Sequence, residues 1–407
     1  MKQKILITLG LLLILSLPIT WYTLHTLGLG HYITLYPSLE PTTRGALLDY
    51  EQIDTIDSDD IAAIYPENEA PITFDYDLTL YRIYYSSIYH GNPIVLSGLV
   101  SIPDTDQPLP HYQYHHGTMI PAPSAEGEGT LDAPSLYQGG GPLAYSNQYE
   151  TRHLILYPSA QGYFASAPDY AGYAISSDEE HPYTYHPELA NYSVDMILAA
   201  QALAAELDIP LTDKLFLAGW SEGGGAALAT HRLITEEYAD QLTVTASAPF
   251  AGPYNMTGFY NYIATSDEAE AMSIYNWAVY SHHQFHELDA DADELWLYAV
   301  DSQLTALDIP DNSPEDLYQP DYLAAMRGQT DDLADLWQTI DLHRGWTPTT
   351  PVFLHSGTDD EIVPHFNTLD AHANLPNTTL YEYPGGDHES PLFDYIIQML
   401  SDFDQLR

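Results

Sequence analysis

The chain has 407 residues, of which 45% are hydrophobic, enough for one large domain with an insertion and too apolar for a disordered protein. Its 58 acidic residues outnumber its 10 Lys and Arg and give a formal net charge of -48, which excludes nucleic acid as a partner because few cations can replace the phosphate counterions. The absence of cysteine excludes disulfides and a cysteine nucleophile.

Residues 1–27 are predicted to direct export. Lys2 and Lys4 precede residues 5–24, an uncharged apolar stretch that matches a signal peptide and is also long enough to span a bilayer. The small residues needed for cleavage are poorly placed after it, which favours an uncleaved membrane anchor over a cleaved signal peptide. Because positive charges stay on the cytoplasmic side, we expect an extracytoplasmic protein, secreted or anchored, that contacts the membrane only through this segment.

The next stretch, residues 28–75, is polar and acid-rich and is predicted to be an N-terminal extension or a linker. From residue 76 onward, β-forming residues dominate two runs, 76–89 and 94–103, on either side of a His-Gly-Asn-Pro turn. This pattern predicts a β-hairpin.

Short apolar runs then alternate with helical patterns. We predict buried strands at residues 111–116, 153–157, 214–218, 242–248 and 351–355, and helices at 189–207, 223–237 and 391–406. Strands that alternate with helices predict the α/β class, with a mostly parallel central sheet covered by helices on both faces.

No strand pattern is found between residues 255 and 348, where several helical patterns occur instead. We predict that residues 255–348 form a helical cap or lid, because a segment inserted between two strands of the sheet can cover a binding cleft. The core would then consist of residues 76–254 and 349–407.

The segment Gly219-Trp220-Ser221-Glu222-Gly223 matches the pattern G-x-S-x-G, directly after a predicted strand and before a predicted helix. A sharp turn from strand to helix forces its central residue into a strained conformation, and the flanking glycines remove the Cβ clashes. The hydroxyl then projects beside the helix N-terminus, where the helix dipole stabilises a developing negative charge. Ser221 is therefore the predicted nucleophile; the alternative is a glycine turn with a surface serine.

A serine nucleophile needs a base, and the base needs a carboxylate that orients it. Asp360 is the preferred acid, because it lies in the turn after a predicted strand and just before a Val-Pro step. Asp359 is an alternative, and Glu361 is a more distant one. His388 is the predicted base, because it lies in a glycine-rich loop that follows another short strand pattern.

Two backbone amides are predicted to form an oxyanion hole. The first belongs to Glu222, the residue after the nucleophile. The second lies after the strand predicted at 111–116, where the chain reads His-His-Gly-Thr. Gly117 lets the backbone turn there, and Thr118 is the predicted donor, with Met119 as the alternative.

Five segments carry a family resemblance: HHGT (115–118), APDYAGYA (167–174), HPY (181–183), NYSVDMILAAQAL (191–203) and GWSEGG (219–224). With the chain order Ser221, Asp360, His388, they resemble the α/β-hydrolase superfamily and, within it, the secretory-lipase-like branch of exported esterases and lipases. The resemblance covers roughly residues 75–400 and implies the α/β-hydrolase fold, a serine-hydrolase mechanism and acyl-ester substrates. One departure is Trp220, where this branch usually has tyrosine; the motif also resembles that of prolyl-oligopeptidase-like serine peptidases.

The sequence therefore predicts a serine carboxylic-ester hydrolase of the esterase or lipase type, with an acyl-enzyme on Ser221 and a small-molecule or lipid ester as substrate. No cofactor is predicted. His282, His283 and His286 could share a helix face, but exposed histidines are the more common arrangement, so no metal site is predicted. The alternatives are a serine peptidase of the same fold, which would bind a peptide amine or carboxylate, and a catalytically silent, surface-anchored binding protein, which would not react with a fluorophosphonate probe.

The charge of -48 generates a hypothesis about habitat. Adaptation to a salty or alkaline exterior would account for this charge. Adaptation to salt predicts that the melting temperature rises with sodium chloride up to molar concentration, because salt screens the repulsion between carboxylates. Drift in an acidic proteome is the alternative. A melting temperature that does not rise over this range would contradict adaptation to salt.

Overall fold

The computed structural model of the protein describes residues 37–62, 74–121, 132–137, 148–265, 272–286, 295–310 and 313–407. The predicted export element, residues 1–27, lies outside the described residues. In the part of the chain that is described, no helix is both long and apolar enough to cross a membrane.

The described chain is built around one mixed sheet of nine strands. The strands are β1 (Leu47–Ile56), β2 (Leu78–Tyr89), β3 (Asn92–Pro103), β4 (Leu109–His115), β5 (Phe164–Pro168), β6 (Leu211–Trp220), β7 (Ala246–Phe250), β8 (Val352–Gly357) and β9 (Thr378–Tyr383). Their order across the sheet is β1-β2-β3-β5-β4-β6-β7-β8-β9. Pairing is antiparallel from β1 to β5 and parallel from β5 to β9, so the half that carries β6 is the parallel half.

Helices connect most of the strands. They are α1 (Ser58–Ala62), a π-helix (Thr151–Leu156), α2 (Tyr157–Ala160), α3 (His186–Glu206), α4 (Glu222–Glu237), α5 (Met256–Thr265), α6 (Met272–Phe285), α7 (Gln303–Leu307), α8 (Pro314–Leu317), α9 (Pro320–Met326), α10 (Ala334–Ile340), α11 (Phe366–Asn374) and α12 (Leu392–Asp404). Short 3-10 turns occur at Pro134–Leu136 and Ala174–Ser176.

Successive residues of β6 show how both faces of the sheet are buried. Phe216 and Ala218 pack in the cluster that contains α12, whereas Leu215 and Leu217 pack against α3 and α4. Since side chains alternate along a strand, helices on both faces explain why this run is apolar throughout. The predicted α/β class, with a mostly parallel sheet covered on both faces, is confirmed.

The antiparallel half of the sheet contains the predicted hairpin. Tyr89 pairs with Asn92, and the two residues between them, His90 and Gly91, have positive φ angles of 46° and 71°. This is the backbone of a two-residue type I′ turn. β1 pairs with β2 at the sheet edge, so the linker alternative for residues 28–75 is wrong at least where β1 lies.

The strand predicted at residues 153–157 is wrong, because this stretch lies in the π-helix and α2. Leu154, Ile155 and Leu156 are fully buried, and a short apolar run that is buried all round has the same pattern in a strand and in a helix. The strand of this region is β5, FASAP, whose small side chains give a weak strand pattern. The strand predicted at 242–248 begins only at Ala246.

The chain between β7 and β8 contains the helices α5 to α10 and, among its described residues, a single isolated strand bridge, between Trp296 and Tyr318. These helices share a hydrophobic cluster of their own, to which both residues of the bridge belong. The described parts of residues 255–348 thus contain six helices and no strand of the central sheet.

The histidines of this segment differ from the sequence expectation. His282 and His283, expected to be exposed, are only 0% and 6% exposed. His282 contacts hydroxyl groups through both ring nitrogens, Thr184 at 3.0 Å and Tyr260 at 2.9 Å, as buried polar groups require. Within the described ranges, no group of three or more His, Asp or Glu side chains is arranged to hold a metal ion.

Candidate active site

Ser221 lies in the sharp turn between β6 and α4. Its backbone has φ 59° and ψ -124°, a conformation that L-residues rarely adopt and that the predicted strand–turn–helix motif requires. The Ser221 amide donates to the carbonyl of Phe250 at the end of the neighbouring strand β7. The turn is thus tied to the parallel half of the sheet.

The glycines on either side of Ser221 are required by close backbone contacts. A Cβ atom on Gly219 would lie 2.1 Å from the carbonyl oxygen of Gly223, and one on Gly223 would lie 1.9 Å from that of His115. Both distances are far below van der Waals contact, so only glycine fits at these two positions. This explains the motif glycines through packing, in agreement with the sequence argument.

The structure brings Ser221, His388 and Asp360 together. Nε2 of His388 lies 2.9 Å from Oγ of Ser221, and Nδ1 of His388 lies 2.8 Å from Oδ2 of Asp360. The other oxygen of Asp360 accepts hydrogen bonds from the amides of Ile362 and Val363, at 3.0 and 2.9 Å. Because these amides fix the carboxylate, Asp360 can hold the imidazole with Nε2 directed at the serine.

The two alternative acids do not contact His388. Asp359 and Glu361 are exposed, whereas Asp360 is 5% exposed. The indole of Trp220 donates to the carbonyl of His388 at 3.0 Å, which anchors the histidine loop to the end of β6. Sequence reasoning treated Trp220 only as a departure from a family pattern and missed this contact.

A second chain of serine, histidine and carboxylate lies elsewhere in the sheet. Oγ of Ser356 lies 2.6 Å from Nδ1 of His365, and Nε2 of that histidine lies 3.0 Å from Glu382. Ser356 is 0% exposed and sits within β8 rather than in a turn, so a substrate cannot reach its hydroxyl. It offers a natural control for experiments on Ser221.

The amides predicted for the oxyanion hole lie on two elements next to Ser221. Glu222 is the first residue of α4. Thr118 follows Gly117, and a Cβ atom built on Gly117 would lie only 3.6 Å from the Cβ atom of Ser221. Among the described residues, neither the Glu222 amide nor the Thr118 amide has a hydrogen-bond partner. Two unpaired N–H groups beside a nucleophile can stabilise an oxyanion. The amide of the alternative donor, Met119, also has no hydrogen-bond partner among the described residues, and its side chain is buried in the core.

One of the segments that carry the family resemblance, APDYAGYA (167–174), has a structural role. Asp169 is fully buried and accepts hydrogen bonds from the Ser97 hydroxyl, at 2.6 Å, and the Ser135 amide, at 2.9 Å. Tyr170 is also fully buried, and its ring lies 4.3 Å from that of His116. These residues support the wall behind the Thr118 loop.

A cavity of about 230 Å³ adjoins the site, with Thr118 and Trp220 in its wall. The described lining includes the carboxyl groups of Asp132, Glu150 and Glu389 and contains no Lys or Arg. Sequence reasoning missed Glu150, because no motif surrounds it.

Glu150 connects this cavity to the oxyanion loop. Its Oε2 accepts hydrogen bonds from the Gly117 amide, at 2.8 Å, and from the Tyr114 hydroxyl. Desolvation is the main cause that raises the pKa of the Glu150 carboxyl to about 7, although both hydrogen bonds act to lower it.

No family model matches the chain, and no curated protein matches its sequence significantly. Solved structures do match it. The rice cell wall degrading esterase LipA from Xanthomonas oryzae has a TM-score of 0.73 and 21% identity and covers 90% of this chain and 100% of its own. A Legionella pneumophila protein classed as a hydrolase has a TM-score of 0.75 and 24% identity, over 88% of this chain and 98% of its own.

Candida antarctica lipase A in its closed state is also similar, with a TM-score of 0.65 and 17% identity over 92% of this chain and 86% of its own. These neighbours are α/β-hydrolases, and the chain has the α/β-hydrolase fold. At identities below 25%, the likeness establishes the fold alone.

The raised pKa of Glu150 predicts a stability difference that depends on pH. Its folded-state pKa of about 7 lies above the ordinary value of 4.5. The protonated Glu150 carboxyl therefore makes its full contribution to the free energy of unfolding below pH 4.5, and this contribution is lost as pH rises through 7. Glu150→Gln should therefore match the wild type near pH 5 and exceed it at pH 8, by on the order of 1 to 3 kcal/mol in the free energy of unfolding.

Urea unfolding from pH 5 to pH 8 measures this difference. Glu389→Gln is the control, because it removes the same charge from an exposed carboxyl in the wall of the same cavity. If the difference in unfolding free energy between Glu150→Gln and the wild type does not change with pH, the raised pKa of Glu150 is contradicted.

Proposed function

We propose that the protein is a serine carboxylic-ester hydrolase that works through an acyl-enzyme on Ser221. The observation that carries the proposal is the hydrogen-bonded chain from Ser221 through His388 to Asp360, which begins at a strained turn beside two unpaired amides. An isolated surface serine would have neither a base nor oxyanion donors near its hydroxyl.

In the proposed first half-reaction, Oγ of Ser221 attacks the ester carbonyl carbon while Nε2 of His388 takes its proton. The carbonyl π electrons move to oxygen, and the resulting oxyanion accepts hydrogen bonds from the amides of Glu222 and Thr118. The tetrahedral intermediate then expels the alkoxide, which leaves as an alcohol with the proton from His388. The acyl group remains on Ser221.

In the second half-reaction, water attacks the acyl carbon and gives its proton to Nε2 of His388. A second tetrahedral intermediate collapses, Ser221 regains its proton and the carboxylic acid leaves. Asp360 keeps the proton of His388 on Nδ1 and stabilises the imidazolium formed in each step. Every step uses groups of the chain, so the proposal requires no cofactor.

The substrate class follows from the same proposal. The esterase and the lipase named above share the fold of this chain, which supports an acyl ester as substrate. We infer a small-molecule or lipid ester, hydrolysed outside the cytoplasm, with membrane contact only through residues 1–27 and no nucleic acid as partner. The charge of -48 supports the last point.

A serine peptidase is the second candidate function, and one observation favours it. The cavity beside the site contains Asp132, Glu150 and Glu389 in its wall, and carboxylates can bind the amino terminus of a peptide. Turnover of aminoacyl p-nitroanilides together with silence toward p-nitrophenyl esters would support the peptidase.

Hydrolysis of p-nitrophenyl esters from acetate to palmitate, at low and molar salt, tests the proposal. Ser221→Ala should lower kcat by about 10⁴-fold or more, because the acyl-enzyme can no longer form.

Asp360→Asn should lower kcat by a factor of about 10³ or more, because the amide no longer selects the required tautomer of His388. Melting curves that match the wild type would exclude unfolding as the cause.

The chain provides matched controls for both variants. Ser356→Ala removes the buried serine that also contacts a histidine, and Asp359→Asn removes the exposed neighbour of the predicted acid. Both should retain turnover near that of the wild type. Comparable activity in Ser221→Ala would reject the serine mechanism.

A further inference from the structure

One buried loop, residues 181–184, contacts both residues whose amides are predicted to bind the oxyanion. We propose that this loop is a brace that holds the amides of Glu222 and Thr118 in a fixed relative position and ties them to the helical segment between β7 and β8. The inference rests on the proposed function, because it assigns a role to residues around the same oxyanion hole.

The loop holds Glu222 through its side chain. Oε1 of Glu222 accepts a hydrogen bond from the Thr184 amide at 3.0 Å and lies 2.7 Å from Nε2 of His181. The side chains of Glu222 and His181 are both fully buried. Since Glu222 is the first residue of α4, two bonds to its carboxylate restrict the orientation of the peptide group that carries its amide.

The same loop holds Thr118 from the other side. The hydroxyl of Tyr183 lies 2.7 Å from the hydroxyl of Thr118, and Tyr183 stands between the two residues that contact Glu222. The Tyr183 ring cannot swing away, because it stacks on the fully buried Trp277 of α6 with a centroid distance of 4.0 Å and an angle of 5°. The two oxyanion donors are thus connected through one four-residue loop.

The loop itself is fixed at its two ends. Nδ1 of His181 lies 2.9 Å from the carbonyl of Ala171. The hydroxyl of Thr184, a residue with a positive φ of 54°, lies 3.0 Å from His282 of α6. Through these contacts of Trp277 and His282, the helical segment helps to set the geometry of the oxyanion hole.

The composition of the brace favours a functional role over simple packing. A buried carboxylate costs free energy relative to an apolar side chain of similar size, even when it is hydrogen-bonded. Oε2 of Glu222 has no hydrogen-bond partner among the described residues, which adds to that cost. Oxyanion donors, by contrast, act only when they are held within a fraction of an ångström of the developing charge, and a brace provides that precision.

The hydroxyl pair between Tyr183 and Thr118 allows a direct test. Tyr183→Phe and Thr118→Val each remove this hydrogen bond and leave both backbone amides and the stacking on Trp277 in place. Each should lower kcat for p-nitrophenyl butyrate about three- to tenfold with KM unchanged, because the amides contribute in the transition state rather than in substrate binding. The double variant should lose no more than the worse single variant, because both changes remove the same bond.

A second readout separates positioning from general destabilisation. A trifluoromethyl ketone adds to Ser221 as a hemiketal whose oxygen occupies the oxyanion hole, so its inhibition constant should rise by the factor by which kcat falls. Tyr163→Phe is the matched control: it removes a hydroxyl that is hydrogen-bonded to Asp404, at 2.8 Å, from a fully buried ring away from the site. This control should keep kcat and the inhibition constant of the wild type.

The outcomes distinguish the brace from the function on which it rests. The brace would be overturned if the losses in kcat multiply in the double variant, or if only KM changes. Ser221-dependent turnover of the wild type would still support the hydrolase. Absence of Ser221-dependent turnover in the wild type would overturn the hydrolase itself. Because two variants remove the same bond, failure of one to fold still leaves the other as a test.

Discussion

Ser221 is held at φ 59° and ψ -124°, a backbone conformation that costs on the order of 1 to 3 kcal/mol and persists only where its surroundings enforce it. Its surroundings do so through the amide bond to Phe250 and through backbone contacts that leave no room for a Cβ atom on Gly219 or Gly223. The parallel half of the sheet therefore supplies the free energy that keeps the serine hydroxyl in front of His388. The same turn starts α4, which places the Glu222 amide beside the serine.

A second constraint follows from the scarcity of basic residues. The carboxyl groups of Asp360, Glu222 and Glu150 contact His388 or the segments that carry the oxyanion donors, and none of these three groups has a described Lys or Arg partner. Backbone amides, hydroxyl groups and histidine rings hold them instead. Contacts of this kind need accurate backbone placement, because an amide cannot move as a flexible lysine side chain can. The chemistry of the site thus depends on its fold more closely than a lysine-rich site would.

Local patterns were enough to predict most of the sheet, its helical cover and the three residues that form the hydrogen-bonded chain, since each of these three residues follows a strand in a recognisable turn. The π-helix at Thr151–Leu156 could not be recognised, because burial on all sides removes the periodicity on which such predictions rest. Strand β5 could not be recognised, because its small side chains give a weak strand pattern. The loop at residues 181–184 and Glu150 were also missed. The bonds that link them to Gly117, Thr118, Glu222 and His282 join residues 33 to 98 positions apart along the chain, so only the tertiary fold brings these residues together.

The central claim is that Ser221 is the nucleophile, and covalent labelling tests it most directly. The folded protein would be treated with a fluorophosphonate probe, its intact mass measured and the modified peptide sequenced. One adduct is expected, on Ser221, and it should be lost in Ser221→Ala and retained in Ser356→Ala. Absence of an adduct on the folded protein, or an adduct on another serine, would contradict it.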